Sequence, residues 1–393
     1  MLVDMPFLMT EILVVLQFMN PVGDLFPSYI QMVVFVLWLL FVCSDKKLFG
    51  KFVNISLVSA AILLFTFMRC VMAGKLDMSY FSPMQAAIGR YQFLVYPTMF
   101  VYIIQLEAEK KHKIFNLAIF SIIITVIVSL YYVLMVYPQA IRNTQGVSYF
   151  GVGDFQLMYA MAIFGGPYLS YIRKKWTNRD KVLLHIISFS LMCLCIVLCN
   201  LVTAVVILAL SIALSYYFYT KKIQFKLFLI IIAGGFVSLK KVWADLLRNI
   251  AEKNLFYWST NNKIIAVANL ISGEHLGLDT LSARVRLTKI SWNSFKEHFL
   301  FGIDFRNHRS GVVGCHAQWV DDLARFGIFG NIIIWCNYIH VARYTLKSSD
   351  SFEMRSSLIV AWITFFILGF LNPCLSGTIF MIMFIVIPSM YEA

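Results

Sequence analysis

The chain has 393 residues, 60% of them hydrophobic and 13% charged, with a formal net charge of +13. Soluble domains carry about 25% charged residues, so the composition excludes a globular enzyme with a single anchor and predicts a polytopic membrane protein, residues 1–393 forming one integral domain. The positive balance does not indicate nucleic acid as a partner, because the basic residues fall in short loops between apolar runs.

Crossing a bilayer takes roughly 20 apolar residues, in a range of about 17 to 25. A weaker run at 3–19 holds Glu11 between Pro6 and Pro21 and is counted as a first span. Stronger runs follow at 28–43, 52–73, 86–106, 114–137, 155–172, 182–199, 201–219, 225–239, 319–341, 356–371 and 374–391. The expected fold class is therefore all-α, with about twelve transmembrane helices. No cationic region or small-residue cleavage site opens the chain, so no removable signal peptide is predicted.

With the N-terminus in the cytoplasm, the short loops on that side contain Lys46, Lys47 and Lys51, then Lys110, Lys111 and Lys113, then Arg173, Lys174, Lys175, Arg179 and Lys181. Lys221, Lys222 and Lys226 follow, and finally Arg343, Lys347 and Arg355. The opposite short loops hold only Lys75, Arg90 and Arg142. This asymmetry fits the positive-inside rule, and it places one large loop, 240–318, outside. The tips at Asn200 and at Asn372-Pro373 fall on the same outer side.

Eight cysteines are present, with no Cys-x-x-Cys pair. Cys193, Cys195 and Cys199 share one apolar run and read as small packing residues. Neither a disulfide framework nor a metal site is predicted.

Within the outer loop, Leu281, Val285, Thr288, Trp292, Phe295 and Phe299 recur at helical spacing. They predict an amphipathic helix over 281–300, capped by Asp279 or Thr280 and ended by Gly302, lying along the membrane or against the bundle. Arg284 falls in its first turn, where free N–H groups and a guanidinium suit a pyrophosphate; an interfacial arginine on lipid headgroups is the alternative. Arg286 falls on another face. His316 stands just before the run that opens at Trp319, at a helix N-terminus whose dipole disfavours imidazolium. A neutral imidazole suits a general base, although a lone histidine there also reads as structural. Asp321 either orients a partner or pairs with Arg325. Tyr257, Trp258 and Trp319 read as interfacial aromatics, and Arg306, His308 and Arg309 form a basic turn.

Ser282-Ala283-Arg284, the Phe301-Gly302 turn, His316, Asp321 five residues later, and Ala324-Arg325-Phe326-Gly327-Ile328-Phe329-Gly330 together resemble the signature of the O-antigen polymerase and ligase families. The stretch Arg142 to Gly153, RNTQGVSYFGVG, resembles a loop pattern of some O-antigen polymerases, and Arg90 lies in a similar outer position. Two departures stand out: the tight hairpin Cys199 to Thr203 lacks the Ser-Arg pair of many ligases, and Ala317 replaces a common Ser.

The resemblance implies a GT-C-like membrane glycosyltransferase that joins undecaprenyl-pyrophosphate-linked oligosaccharides at the periplasmic face of a bacterial inner membrane. His316 and Asp321 would be catalytic, and Arg284, Arg142 and Arg90 would bind pyrophosphate. No metal or other cofactor is expected. The partners would be the lipid-linked glycan and membrane lipid, with a chain-length regulator protein as a further candidate. Two alternatives remain open: a ligase passing glycan to lipid A core, and a flippase or transporter without chemistry.

Overall fold

The computed structural model describes residues 4–27, 29–72, 92–137, 140–142, 149–177, 182–199, 201–219, 240–253, 258–272, 280–303 and 313–391. Every regular element among them is helical. In chain order the principal helices are α1 (Met5–Phe18), α2 (Tyr29–Cys43), α3 (Lys46–Met72), α4 (Gln92–Ile103), α5 (Ala108–Tyr131), α6 (Phe155–Thr177) and α7 (Val182–Leu198). They continue as α8 (Val202–Tyr219), α9 (Lys240–Glu252), α10 (Trp258–Ser272), α11 (Thr280–Glu297), α12 (Gln318–Lys347), α13 (Phe352–Leu371) and α14 (Gly377–Met381). A π-turn, Ile382–Val386, carries α14 on into Ile387–Ser389.

Local sequence explains several helix starts. Asp4 accepts from the Phe7 N–H at 3.3 Å with Pro6 in the first turn of α1. Asp154 accepts from Leu157 N at 2.8 Å to start α6, and Ser351 from Met354 N at 3.1 Å to start α13. Each occupies one of the donors a helix N-terminus leaves unpaired.

Among the described residues three helices are long and apolar enough to cross a membrane: Ala108–Val136, Val202–Tyr219 and Phe352–Leu371. A fourth counts if Lys46–Leu57 and Ser59–Arg69, bent by 51° to each other, form one span. α1, α2 and α7 are apolar but have only 14, 15 and 17 residues, short of the roughly 20 that a straight crossing takes. The run at 225–239 and the first part of 86–106 lie outside the described residues.

Phe115, Phe164, Phe365, Phe380 and Phe384 are fully buried where α5, α6, α13 and α14 meet. Ser211 of α8 stitches α6 to it, accepting from Gly166 N at 3.0 Å and donating to Ile163 O at 2.8 Å. Glu11, the acid in the apolar α1, is matched by Lys113 of α5 at 2.8 Å.

Among the described residues, Lys110, Lys174 and Arg355 gather at one end of this bundle. Lys110 pairs with Asp4, Lys174 with Glu353, and Arg355 donates to Leu346 O. The start of α12 lies at the other end, where Trp319 Nε1 donates to Phe366 O near the finish of α13.

Two expectations are corrected. The run 319–341 is not one continuous helix: it breaks at Gly327, with φ 62° and ψ −170°. Trp319 is not an interfacial residue; it is buried among Trp335, Tyr338, Phe365 and Phe366. The predicted stripe of α11 is divided between a buried Phe295 and exposed members. Val285, Trp292 and Phe299 are exposed, while Ser291, Ser294 and Phe295 are buried, because α11 docks on α12 through Ser291. The side chain of Leu281 and the proposed cap Asp279 lie outside the described residues.

Candidate active site

The site forms where a turn after α11 meets the break in α12. A residue with a Cβ does not adopt the Gly327 conformation without strain. The break leaves backbone groups unpaired, and the turn supplies partners: Ile303 N donates to Ala324 O at 2.9 Å, Ile328 N to Phe299 O at 2.8 Å, and Phe329 N to Leu300 O at 3.2 Å. Asn331 completes the repair, its Nδ2 reaching Gly327 O at 2.7 Å and Asp322 O at 2.9 Å. Arg69 of α3 lies over the Phe301 ring, 5.8 Å from its centroid. The Phe301-Gly302 and Ala324-to-Gly330 segments are thus two halves of one joint.

That joint fixes the start of α12. Asp321, 2% exposed, accepts from Ser291 Oγ at 2.5 Å and from Ala317 N at 3.1 Å. Ser291 Oγ in turn accepts from Gly314 N at 2.8 Å. One serine of α11 and one aspartate of α12 therefore hold both sides of the turn 314–317. Inside that turn Cys315 has φ 57°, a left-handed conformation that costs an L-residue roughly 1–2 kcal/mol. Arg325 Nη2 donates to its Sγ at 3.2 Å. The strained residue immediately precedes His316.

His316 is half-buried outside the helix, since α12 is capped by Ala317. Burial depresses its pKa below the ordinary 6.5, the Arg284 charge lowers it further, and Asp321 opposes both. Among the described residues no hydrogen bond engages the ring, so its nitrogens remain available to a ligand. Arg284, also half-buried, donates from Nη1 to Thr203 Oγ1 at 3.4 Å. Arg284 of α11 thereby reaches the start of α8.

The structure brings together Arg284, His316 and Asp321. Arg90 and the Arg142 side chain lie outside the described residues, as do Tyr257, Arg306, His308 and Arg309. Asp321 touches Ser291 and Ala317, and Arg325 turns to Cys315, so the described contacts of Asp321 position the turn that carries His316. Thr203, Ser291, Cys315 and Asn331 were not singled out from the sequence. A neutral imidazole beside a fixed guanidinium combines a proton acceptor with an anion site.

No family model matches this chain, and no curated protein matches it.

Proposed function

We propose that the protein polymerises lipid-linked oligosaccharide repeat units, with undecaprenyl pyrophosphate on both donor and acceptor, at the outer face of a bacterial inner membrane. The observation that carries this reading is the pairing of Arg284 with a half-buried His316 whose protonation is disfavoured, at the end of the bundle opposite Lys110, Lys174 and Arg355. The sequence resemblance supports the class of reaction. The same reading takes the remaining apolar helices as further spans, about twelve in all, and the segment 240–318 as periplasmic.

In this mechanism a hydroxyl of the acceptor sugar attacks the anomeric carbon of the donor. The new glycosidic C–O bond forms as the bond from that carbon to the pyrophosphate oxygen breaks. His316 takes the hydroxyl proton, and the pyrophosphate leaves with the bonding electron pair. Arg284 offers a fork of N–H donors to that developing charge. Arg142 and Arg90 are further pyrophosphate ligands in this reading, and Asp321 acts by holding the His316 turn.

The test is the surface glycan of a strain lacking the protein. Core carrying a single repeat unit is the expected product. Core with no glycan would instead identify a ligase, and repeat units stranded on the cytoplasmic side would identify a flippase.

A further inference from the structure

A cavity of about 550 Å³ opens where α1 ends, α6 begins and α14 begins. Its polar lining is Gln17, Asn20, Asp24, Gln31, Asp154 and Thr378. Both it and the start of α12 sit at the end of the bundle opposite Lys110, Lys174 and Arg355, because Trp319 packs on the last turns of α13 and α14 follows α13 directly.

The three amides use their N–H groups within the protein. Gln17 Nε2 donates to Thr378 Oγ1 at 2.8 Å, Asn20 Nδ2 to Val152 O at 2.9 Å, and Gln31 Nε2 to Leu16 O at 2.9 Å. Each carbonyl oxygen is left without a donor among the described residues. The carboxylates are partly used in the same way: Asp24 Oδ2 accepts from Gly151 N at 2.7 Å, and Asp154 Oδ1 caps α6. Four side-chain oxygens, those of the three amides and Asp24 Oδ1, therefore remain as acceptors, against one hydroxyl donor on Thr378; the Asp154 carboxyl is further engaged by backbone N–H groups at the start of α6. Among the described residues no Lys, Arg or His lines the cavity. The apolar part of the wall is Leu16, Phe26, Pro27, Phe150 and Leu157.

Such a wall demands a ligand rich in hydrogen-bond donors with at least one apolar face. A sugar ring has that chemistry: its hydroxyls donate to carboxylate and amide oxygens, and its C–H face lies on aromatic rings. The volume is within the range of about 300–1,000 Å³ typical of small-ligand sites, far more than one ion needs. The two carboxylates, Asp24 and Asp154, meet no cation among the described lining residues and disfavour an acidic sugar. We propose that this cavity is a glycan subsite selective for neutral or amino sugars and closed to uronic acids. It rests on the glycosyl-transfer reading for its place in the reaction but not for binding itself.

The experiment is saturation-transfer NMR on the full-length protein in nanodiscs. The probes are neutral, N-acetylated, amino and uronic monosaccharides and disaccharides. Neutral or amino sugars should receive saturation and uronic acids should not. Gln31→Leu should weaken binding at least tenfold. Asp24→Asn with Asp154→Asn, which keeps a capping side chain on α6, should admit uronic acids. Intact insertion is checked by the melting temperature of each variant. His316→Ala should leave sugar binding unchanged, so loss of chain extension with binding retained separates the two readings. Absence of saturation transfer for every probe, or equal transfer in wild type and Gln31→Leu, would overturn the subsite.

Discussion

Gly302 and Gly327 face each other backbone to backbone. A Cβ on Gly302 would collide with Arg325 O and Gly327 N, and a Cβ on Gly327 with Gly302 N and Leu300 O. Both also have positive φ, 78° and 62°. Gly302→Ala and Gly327→Ala should each destabilise the protein by about 2 kcal/mol or more, combining backbone strain with the lost close approach. Thermal melts in detergent check this, and an unchanged melting temperature for Gly327→Ala would mean that the joint is not as close as described.

Ser291 and Asp321 form the second contact between the turn and its helix. Ser291→Ala removes the acceptor of Gly314 N and a donor to Asp321. Leaving a buried polar group unsatisfied costs about 1–3 kcal/mol, so stability should fall by that order and chain extension with it. Ser291→Thr, which retains the hydroxyl, should recover most of both.

The acid limb of activity should report His316. Its folded pKa is lowered by burial and by Arg284, so the ring stays neutral below the ordinary value. The rate should fall only as pH drops through a midpoint under about 6.5. Arg284→Gln should move that midpoint upward. Folding carries the same sign: the unfolded chain takes the proton first, so this group's contribution to stability declines as pH falls from 6.5 toward the folded value. A midpoint unmoved by Arg284→Gln would exclude the electrostatic contact.

Chain extension in vitro should fall about 10²- to 10⁴-fold in His316→Ala, the usual cost of removing a positioned base. Arg284→Lys should retain clearly less activity than wild type, and Arg284→Glu almost none, because a point charge does not replace a bidentate fork. Full extension by Arg284→Glu at normal protein level would place pyrophosphate binding elsewhere.

The positive-inside reading is checked by single cysteines introduced at Lys175 and Lys289 in a cysteine-free background. An impermeant thiol reagent applied to intact spheroplasts should label position 289 and not position 175. Labelling at 175 would invert the topology.

Helix positions were legible because apolar runs act locally; the caps Asp4, Asp154 and Ser351 lie within three residues of the donors they satisfy but were not singled out from the sequence. The clustering of Arg284, His316 and Asp321 was readable only as a motif, since nothing in helical spacing brings α11 to α12. Ser291 escaped notice because its partner is 30 residues away, and it looked like a neutral position between apolar ones. Periodicity found Phe295 of α11, which is buried, but gave no sign that the helix docks through the neighbouring Ser291 hydroxyl. The break at Gly327 was hidden inside an apolar run that read as continuous. Thr203 was visible only as the tip of a hairpin without an arginine, with no sign that Arg284 would reach it.

The backbone pairing across the Gly302–Gly327 joint has a kinetic consequence. Hinged flaps over active sites are tied down weakly enough to swing. Here detachment would strip Ala324 O, Phe299 O and Leu300 O of their partners at once, each loss costing about 1–3 kcal/mol if the group stays buried. The segment 299–303 is therefore a fixed jamb and not a door. In the proposed reaction glycan would enter and leave past it sideways, and turnover should be insensitive to solvent viscosity changes that slow loop motions elsewhere.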